Sequence, residues 1–164
     1  KIGIDYLLIP EKNDIENFSN PFDTKLEPKK ITDDLCGKYR PGHFLAVIDI
    51  IHRFFQIIKP KNILLGRKDY QQIIVIKELI KIYNYNINII SADTVRNKDG
   101  LALSSRNNFL TKEEIKIASE IQSSLLLSKK LCKKLCAYQI SKIKIKKLEK
   151  KYKIVLLLLS SKYV

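Results

Sequence analysis

The sequence predicts an α/β fold wound on a parallel sheet. Three observations lead there. Two short aliphatic runs, Asn62–Leu65 and Ile87–Ile90, flank a segment with apolar residues at helical spacing, Tyr70–Tyr83. A polar loop from Asn97 to Asn108 follows, and a capping signature then opens another helix. Strand, helix, strand, loop, helix is the order of such a sheet, because parallel neighbours need a crossover far longer than a hairpin turn.

In chain order, Ile4–Ile9 (I-D-Y-L-L-I) closed by Pro10 reads as a short buried strand. Residues 11–40 mix Asn, Asp, Lys, Pro21 and Pro28 without sustained periodicity and read mostly as loop. From Phe44 to Ile58 the polar residues are Asp49, His52, Arg53 and Gln56, separated by 3, 1 and 3 positions. That spacing puts them on one helix stripe, with Val, Ile, Leu and Phe over the rest, so the helix should be largely buried. Asn62–Leu65 is a strand ending at Gly66, Tyr70–Tyr83 the crossover helix and Ile87–Ile90 the next strand. Thr111 and Glu114 have capping-box spacing and start a helix of about four turns through Leu127.

Composition bounds the function. The chain has 164 residues, 45% apolar and 29% charged, with five Gly and five Pro. Disordered and collagen-like classes are excluded, and about 70% of the unfolded surface can be buried. The net charge of +14 comes mainly from one place: Lys129–Lys153 holds eleven Lys and one Glu, or +10, leaving +4 for the other 139 residues. Ile, Lys, Asn and Tyr fill 70 positions and Arg only five, a bias that A/T-rich codons also produce. Leu131, Leu135 and Tyr138 follow helical spacing within that segment, so it reads either as an amphipathic helix with a solvated basic face or as a nucleic-acid or anionic-surface module. One aromatic before its end and no RNA-binding signature weigh against the second reading.

Cys36, Cys132 and Cys136 include no C-x-x-C pair, which argues against a disulfide framework and a zinc knuckle. The longest aliphatic run, Ile154–Leu159, is far short of the ~20 residues that span a bilayer. A reduced, cytoplasmic protein without a membrane segment is expected. There is no Met and the first residue is Lys1, which suggests a processed terminus or a chain that starts within a longer one.

Three polar clusters sit at the ends of elements, where open α/β sheets bind ligands. In Arg40-Pro41-Gly42-His43-Phe44, Arg40 could hold an anion and His43 could exchange protons, or the run is a turn into the helix capped by His. In Gly66-Arg67-Lys68-Asp69-Tyr70-Gln71-Gln72 a glycine turn leads from a strand to a helix start, with Lys68 as a mobile cation and Gln72 one turn on. It lacks the second glycine and the Ser or Thr of a Walker loop. In Val95-Arg96-Asn97-Lys98-Asp99-Gly100-Leu101-Ala102-Leu103-Ser104-Ser105-Arg106-Asn107 an Asp-Gly turn precedes paired serines and an arginine, whose planar fork suits phosphate oxygens. A solvated loop with serine caps is the alternative.

The runs R-P-G-H-F, G-x-K-D-Y-Q-Q and V-R-x-x-D-G-L-A-L-S-S-R-N, in this order and spacing, resemble the pantothenate synthetase (pantoate–β-alanine ligase) family. The resemblance is clear from about Gly37 to Leu110 and looser from Ile4 into the helix after Thr111. It implies a Rossmann-like, nucleotidylyl-transferase-type domain over 1–110, present in part, and a connecting helix with the start of a smaller C-terminal domain over 111–164. It also implies an ATP- and Mg²⁺-dependent ligase, homodimeric when complete, that joins pantoate and β-alanine through a pantoyl adenylate. Lys68, Ser104, Ser105 and Arg106 match phosphate-handling positions, with Lys68 and Arg106 as the charges that stabilise transfer. Gly66, Arg67, Asp69, Val95 and Leu103 match the ATP pocket, and Gln72 matches a pantoate ligand.

Departures from the family pattern stand beside these matches. Arg67 holds a position commonly Glu or Gln, Asp93 stands where proline is usual, and Ala46 replaces a glycine. The family's P-T-M-G-x-L-H-x-G-H motif, whose histidines grip ATP phosphates, is not in the sequence, and neither is its second pantoate glutamine. Gly42-His43 does not substitute for it, because Arg40 occupies the partner histidine's place. The chain alone is therefore expected to turn over slowly or not at all.

Overall fold

A computed structural model of the chain describes residues 3–131. The segment from Cys132 on, with Cys136 and most of Lys129–Lys153, lies outside the described residues. The chain divides into two compact units: one holds 1–65 and 69–91, the other 66–68 and 92 onward.

In the first unit, short helices α1 (Lys12–Asn17), α2 (Lys29–Thr32) and α3 (Cys36–Tyr39) precede the long helix α4 (His43–Ile58). Strand β1 (Asn62–Gly66), helix α5 (Tyr70–Ile82) and strand β2 (Asn88–Ala92) then form a β-α-β crossover whose two strands pair in parallel. Lys59, in the left-handed region, and Pro60 after it end α4, since proline cannot continue the helix. The core lies where α4 meets α5: Phe44, Ile48 and Phe55 of α4, Val75, Ile76 and Leu79 of α5, and Phe22 from the preceding segment are buried. Removing aliphatic side chains such as these from water stabilises by ~1.5–3 kcal/mol each.

Two expectations change here. The Ile4–Ile9 run is no strand: its large apolar residues are exposed, Tyr6 by 92%, and a strand needs a hydrogen-bonded neighbour that the run lacks among the described residues. Residues 11–40 are not mostly loop but include α1, α2, α3 and a 3-10 turn at Thr24–Leu26. These pieces are too short for periodicity to register, and local caps hold them: Glu11 and Asp14 form a capping box, and Asp23 Oδ1 accepts from Lys25 N at 3.0 Å.

The helix α4 is largely buried, as its pattern predicts, and its polar stripe clamps the preceding segment. Asp49 Oδ1 accepts from Phe22 N at 2.8 Å, Arg53 bonds both Asp49 and the Ser19 carbonyl, and Gln56 bonds the Asn20 backbone both ways. His52 belongs to the buried face. Its Nδ1 lies 2.9 Å from the Tyr85 hydroxyl, and its ring packs on Tyr83 and Phe22. Burial holds the His52 imidazole below its ordinary pKa, with Asp49 opposing and Arg53 adding to the shift. Burial likewise pushes the Tyr85 phenol up.

The second unit is of another kind. Its 3-10 helix Ser105–Phe109 leads into helix α6 (Lys112–Leu131). The expected capping box is present: Thr111 N donates to Glu114 at 2.8 Å and Glu114 N to Thr111 Oγ1 at 3.2 Å, which holds the Glu114 carboxyl below its usual range. No helix among the described residues is long and apolar enough to cross a membrane.

Candidate functional site

Between β2 and α6 the second unit carries a compact hairpin. Leu103 N donates to the Val95 carbonyl at 2.9 Å, Arg96 and Ala102 pair antiparallel, and Asn97 N donates to the Leu101 carbonyl at 2.9 Å. The Asn97 side chain closes the tip by accepting from Asp99 N at 3.1 Å and Leu101 N at 2.8 Å. This is why Asn97-Lys98-Asp99-Gly100 folds here: one carboxamide oxygen satisfies two turn amides, and Gly100 takes a φ of +86° that a side chain would oppose.

The hairpin delivers Leu103 and the S-S-R run to one place. Ser104 is extended and caps the 3-10 turn, its Oγ accepting from Arg106 N at 3.3 Å. Asn107 Nδ2 reaches back to the Ala102 carbonyl at 2.9 Å. Ser105 and Arg106 are exposed, and the Arg106 guanidinium has no protein partner among the described residues.

The Gly66–Lys68 turn belongs to the same unit. Lys68 Nζ donates to the Leu103 carbonyl at 3.3 Å, joining two motifs 35 residues apart in sequence. Beside it Arg67 Nη1 meets Asp93 Oδ1 at 2.8 Å. Two of the three positions that depart from the family pattern therefore face each other, the added cation neutralised by the added carboxylate. The structure brings together Arg67, Lys68, Val95, Leu103, Ser104 and Arg106, with Gly66 at the end of β1 leading in. Exposed backbone and cationic side chains make this a surface suited to phosphate oxygens.

Other sequence candidates lie in the first unit. Asp69 precedes α5 and caps nothing with its side chain. Of the paired glutamines, Gln71 is buried and fully occupied: its Nε2 donates to the Ile31 and Asp34 carbonyls at 2.9 and 2.8 Å, and its Oε1 accepts from Cys36 N at 3.0 Å. Gln72 is half-buried, and its side chain makes no hydrogen bond among the described residues. Arg40 is exposed and its carbonyl accepts from His43 N, while the His43 ring lies against Phe44 at 5.0 Å between centroids. A cleft of about 680 Å³ lined by Phe55, Lys59, Lys61 and Tyr85 opens where the strands begin, and none of the candidate residues lines it.

Comparison with known proteins decides the family. The family model described as Pantoate-beta-alanine ligase matches residues 1–161. The chain belongs to this family. Pantothenate synthetase of Marinomonas sp. (strain MWYL1) is 41% identical over 127 residues, 77% of this chain and 45% of the relative. That of Buchnera aphidicola subsp. Acyrthosiphon pisum (strain Tuc7) is 43% identical over 135 residues, 82% and 46%. The chain thus spans less than half the length of these curated relatives. Among solved structures, pantothenate synthetase of Thermus thermophilus superposes with a TM-score of 0.70 at 28% identity, covering 84% of this chain and 49% of that one. The pantoate-beta-alanine ligase of Francisella tularensis, solved with beta-gamma ATP and beta-alanine, gives 0.54 at 44% identity over 62% and 38%. The α/β fold is therefore that of the family.

Two features were not legible beforehand. The pairing of Arg67 with Asp93 spans 26 positions and shows only once β1 and β2 are placed. The tie between α6 and the hairpin, through Gln122, has no local signal at all.

Proposed function

We propose that this chain supplies the ATP-gripping part of a pantoate–β-alanine ligase. The pantoate carboxylate attacks the α-phosphorus of ATP, pyrophosphate leaves, and the β-alanine amine then displaces AMP to form the amide. The observation that carries this reading is the 3.3 Å bond from Lys68 Nζ to the Leu103 carbonyl, which sets the Gly66–Lys68 turn beside the S-S-R run.

Charge builds on phosphate oxygens as the new bond forms, so fixed cations that need no rearrangement accelerate the transfer. Lys68 and Arg106 fill that role. Lys68 gives up one carbonyl partner for a phosphate oxygen, and Arg106 offers a fork that has no partner among the described residues. Ser104 and Ser105 add hydroxyls and amides, while Gly66, Arg67, Asp69, Val95 and Leu103 line the nucleotide. Gln72 holds pantoate, which suits an amide able to bond a hydroxyl and a carboxylate together. Arg40 and His43 serve the entry to α4 rather than the reaction.

No cluster of three acidic, His or Cys side chains that could hold a metal occurs among the described residues. An Mg²⁺ carried in with the triphosphate would add charge neutralisation beside Lys68 and Arg106. The reading includes a homodimer in the complete protein, a cytoplasmic setting and a division at 110/111. It also includes weak turnover of the 164-residue chain by itself, because its two histidines are His52, buried on Tyr85, and His43, outside the family's histidine motif.

Equilibrium binding tests the proposal. ATP should bind the chain, and Lys68→Ala and Arg106→Ala should each raise Kd about tenfold, the loss of one charge-assisted hydrogen bond. AMP formation that needs both pantoate and β-alanine should be detectable but slow. No ATP binding, or affinities indifferent to both substitutions, would refute the reading.

A further inference from the structure

We propose that Gln122, on α6, is the positioning residue that fixes the hairpin carrying the phosphate-facing turn, an inference that rests on the ATP-binding reading above. Gln122 lies in the body of α6, well past its first turn, and is half-buried. Oriented so that its oxygen faces Arg96, its side-chain amide accepts from Arg96 Nε at 3.1 Å and donates to the Gly100 carbonyl. Arg96 Nη1 also donates to that carbonyl, at 3.0 Å. Three groups thus close a ring: helix amide, guanidinium and turn carbonyl.

The ring explains two features of the hairpin that its own hydrogen bonds leave open. Gly100 is required for contact as well as for its φ, because a Cβ there would overlap the Gln122 carboxamide. Arg96, one of five arginines in the chain, faces the hairpin tip and the helix, so it acts in holding the loop and leaves phosphate contacts to Lys68 and Arg106.

The hairpin contains none of the buried apolar residues of the molecule, so polar ties must define its position. Its inner bonds fix its shape; the Gln122 ring fixes where that shape sits on α6. Leu103, Ser104 and Arg106 follow directly from the hairpin's second arm, three to six residues after Gly100. A displaced tip therefore shifts the carbonyl that meets Lys68 and the turn that presents Arg106. Small displacements of reacting or binding groups weaken function disproportionately.

The test compares Gln122→Met, which keeps length and volume but removes both hydrogen bonds, with Gln122→Glu, which retains an acceptor for Arg96, and with Arg96→Lys, which removes the ring from the other side. Amide hydrogen exchange is read first, without nucleotide. Gln122→Met and Arg96→Lys should each speed exchange about tenfold at 97–103 while leaving α4 and α5 unchanged, the signature of a local opening. Gln122→Glu should fall between them and the unsubstituted chain. ATP Kd should then rise about tenfold in Gln122→Met, with partial recovery in Gln122→Glu. Unchanged exchange at 97–103 in both Gln122→Met and Arg96→Lys would overturn the inference whether or not ATP binds. So would an ATP affinity that Gln122→Met leaves intact. If the unsubstituted chain binds no ATP, the functional reading fails while the exchange data still decide the clamp.

Discussion

The two units are held together by different physics. In the first, Ile48, Val75, Ile76 and Leu79 are wholly buried between α4 and α5, and every buried apolar residue of the described chain is found there. In the second, Ser119 is the one buried residue described, and order comes from hydrogen bonds that run between side chains and turn backbone: Asn97 to two amides, Asn107 to Ala102, Arg96 and Gln122 to Gly100. Packing is strong and indifferent to small shifts of polar atoms. Directional bonds contribute less each but fix positions closely. The surface proposed to meet phosphate oxygens would gain from the second kind of order.

The comparison breaks most visibly in the core. Ile76→Ala should lower the free energy of unfolding by ~2–5 kcal/mol, measured by urea titration, because it leaves a cavity between α4 and α5. Asn97→Ala should behave in the opposite manner: it leaves the urea midpoint nearly unchanged but lowers the local opening energy of the hairpin by ~1–2 kcal/mol in hydrogen exchange. Equal global effects from the two substitutions would mean that the units are not held differently.

Acid sharpens the contrast through His52. Its folded pKa is depressed, so between that value and the ordinary ~6.5 the unfolded chain binds a proton that the folded chain does not. Stability then rises with pH across that window, and the urea midpoint should fall as pH drops below about 6.5. Replacing His52 with Asn should remove that slope, whatever it does to stability at neutral pH. A slope unchanged by the replacement would move the acid sensitivity elsewhere. The smallest effect is expected for the exposed Arg67–Asp93 pair. A double-mutant cycle with Arg67→Ala and Asp93→Ala should give a coupling of only ~0–1 kcal/mol for stability, reduced further by salt.

What the sequence reveals follows the same division. β1, α5, β2 and the Thr111–Glu114 box are local patterns, and each is where its spacing places it to within a residue or two at its start. The helix that the box opens runs one turn past the expected Leu127. The Ile4–Ile9 run misleads because strand propensity is conditional on a neighbour to pair with. His52 falls on the α4 stripe by its spacing, but its partner Tyr85, 33 positions on, shows only in the structure. At the candidate site, residue types and spacing mark Lys68 and Ser104–Arg106, whereas the Lys68–Leu103 bond, the Arg67–Asp93 pair and the Gln122 ring depend on tertiary placement across 35, 26 and some 20 to 30 positions, a range no periodicity spans.

The central claim is that one phosphate-gripping surface is built from the Gly66–Lys68 turn and the 93–106 hairpin. Mapping backbone amide shifts by NMR as ATP is added tests it most directly. The shifts should concentrate at Gly66–Lys68 and at Leu103–Arg106, and in Lys68→Ala both sets should need about tenfold more ATP to develop. Shifts confined to Lys129–Lys153, or spread over the first unit and indifferent to Lys68, would contradict it.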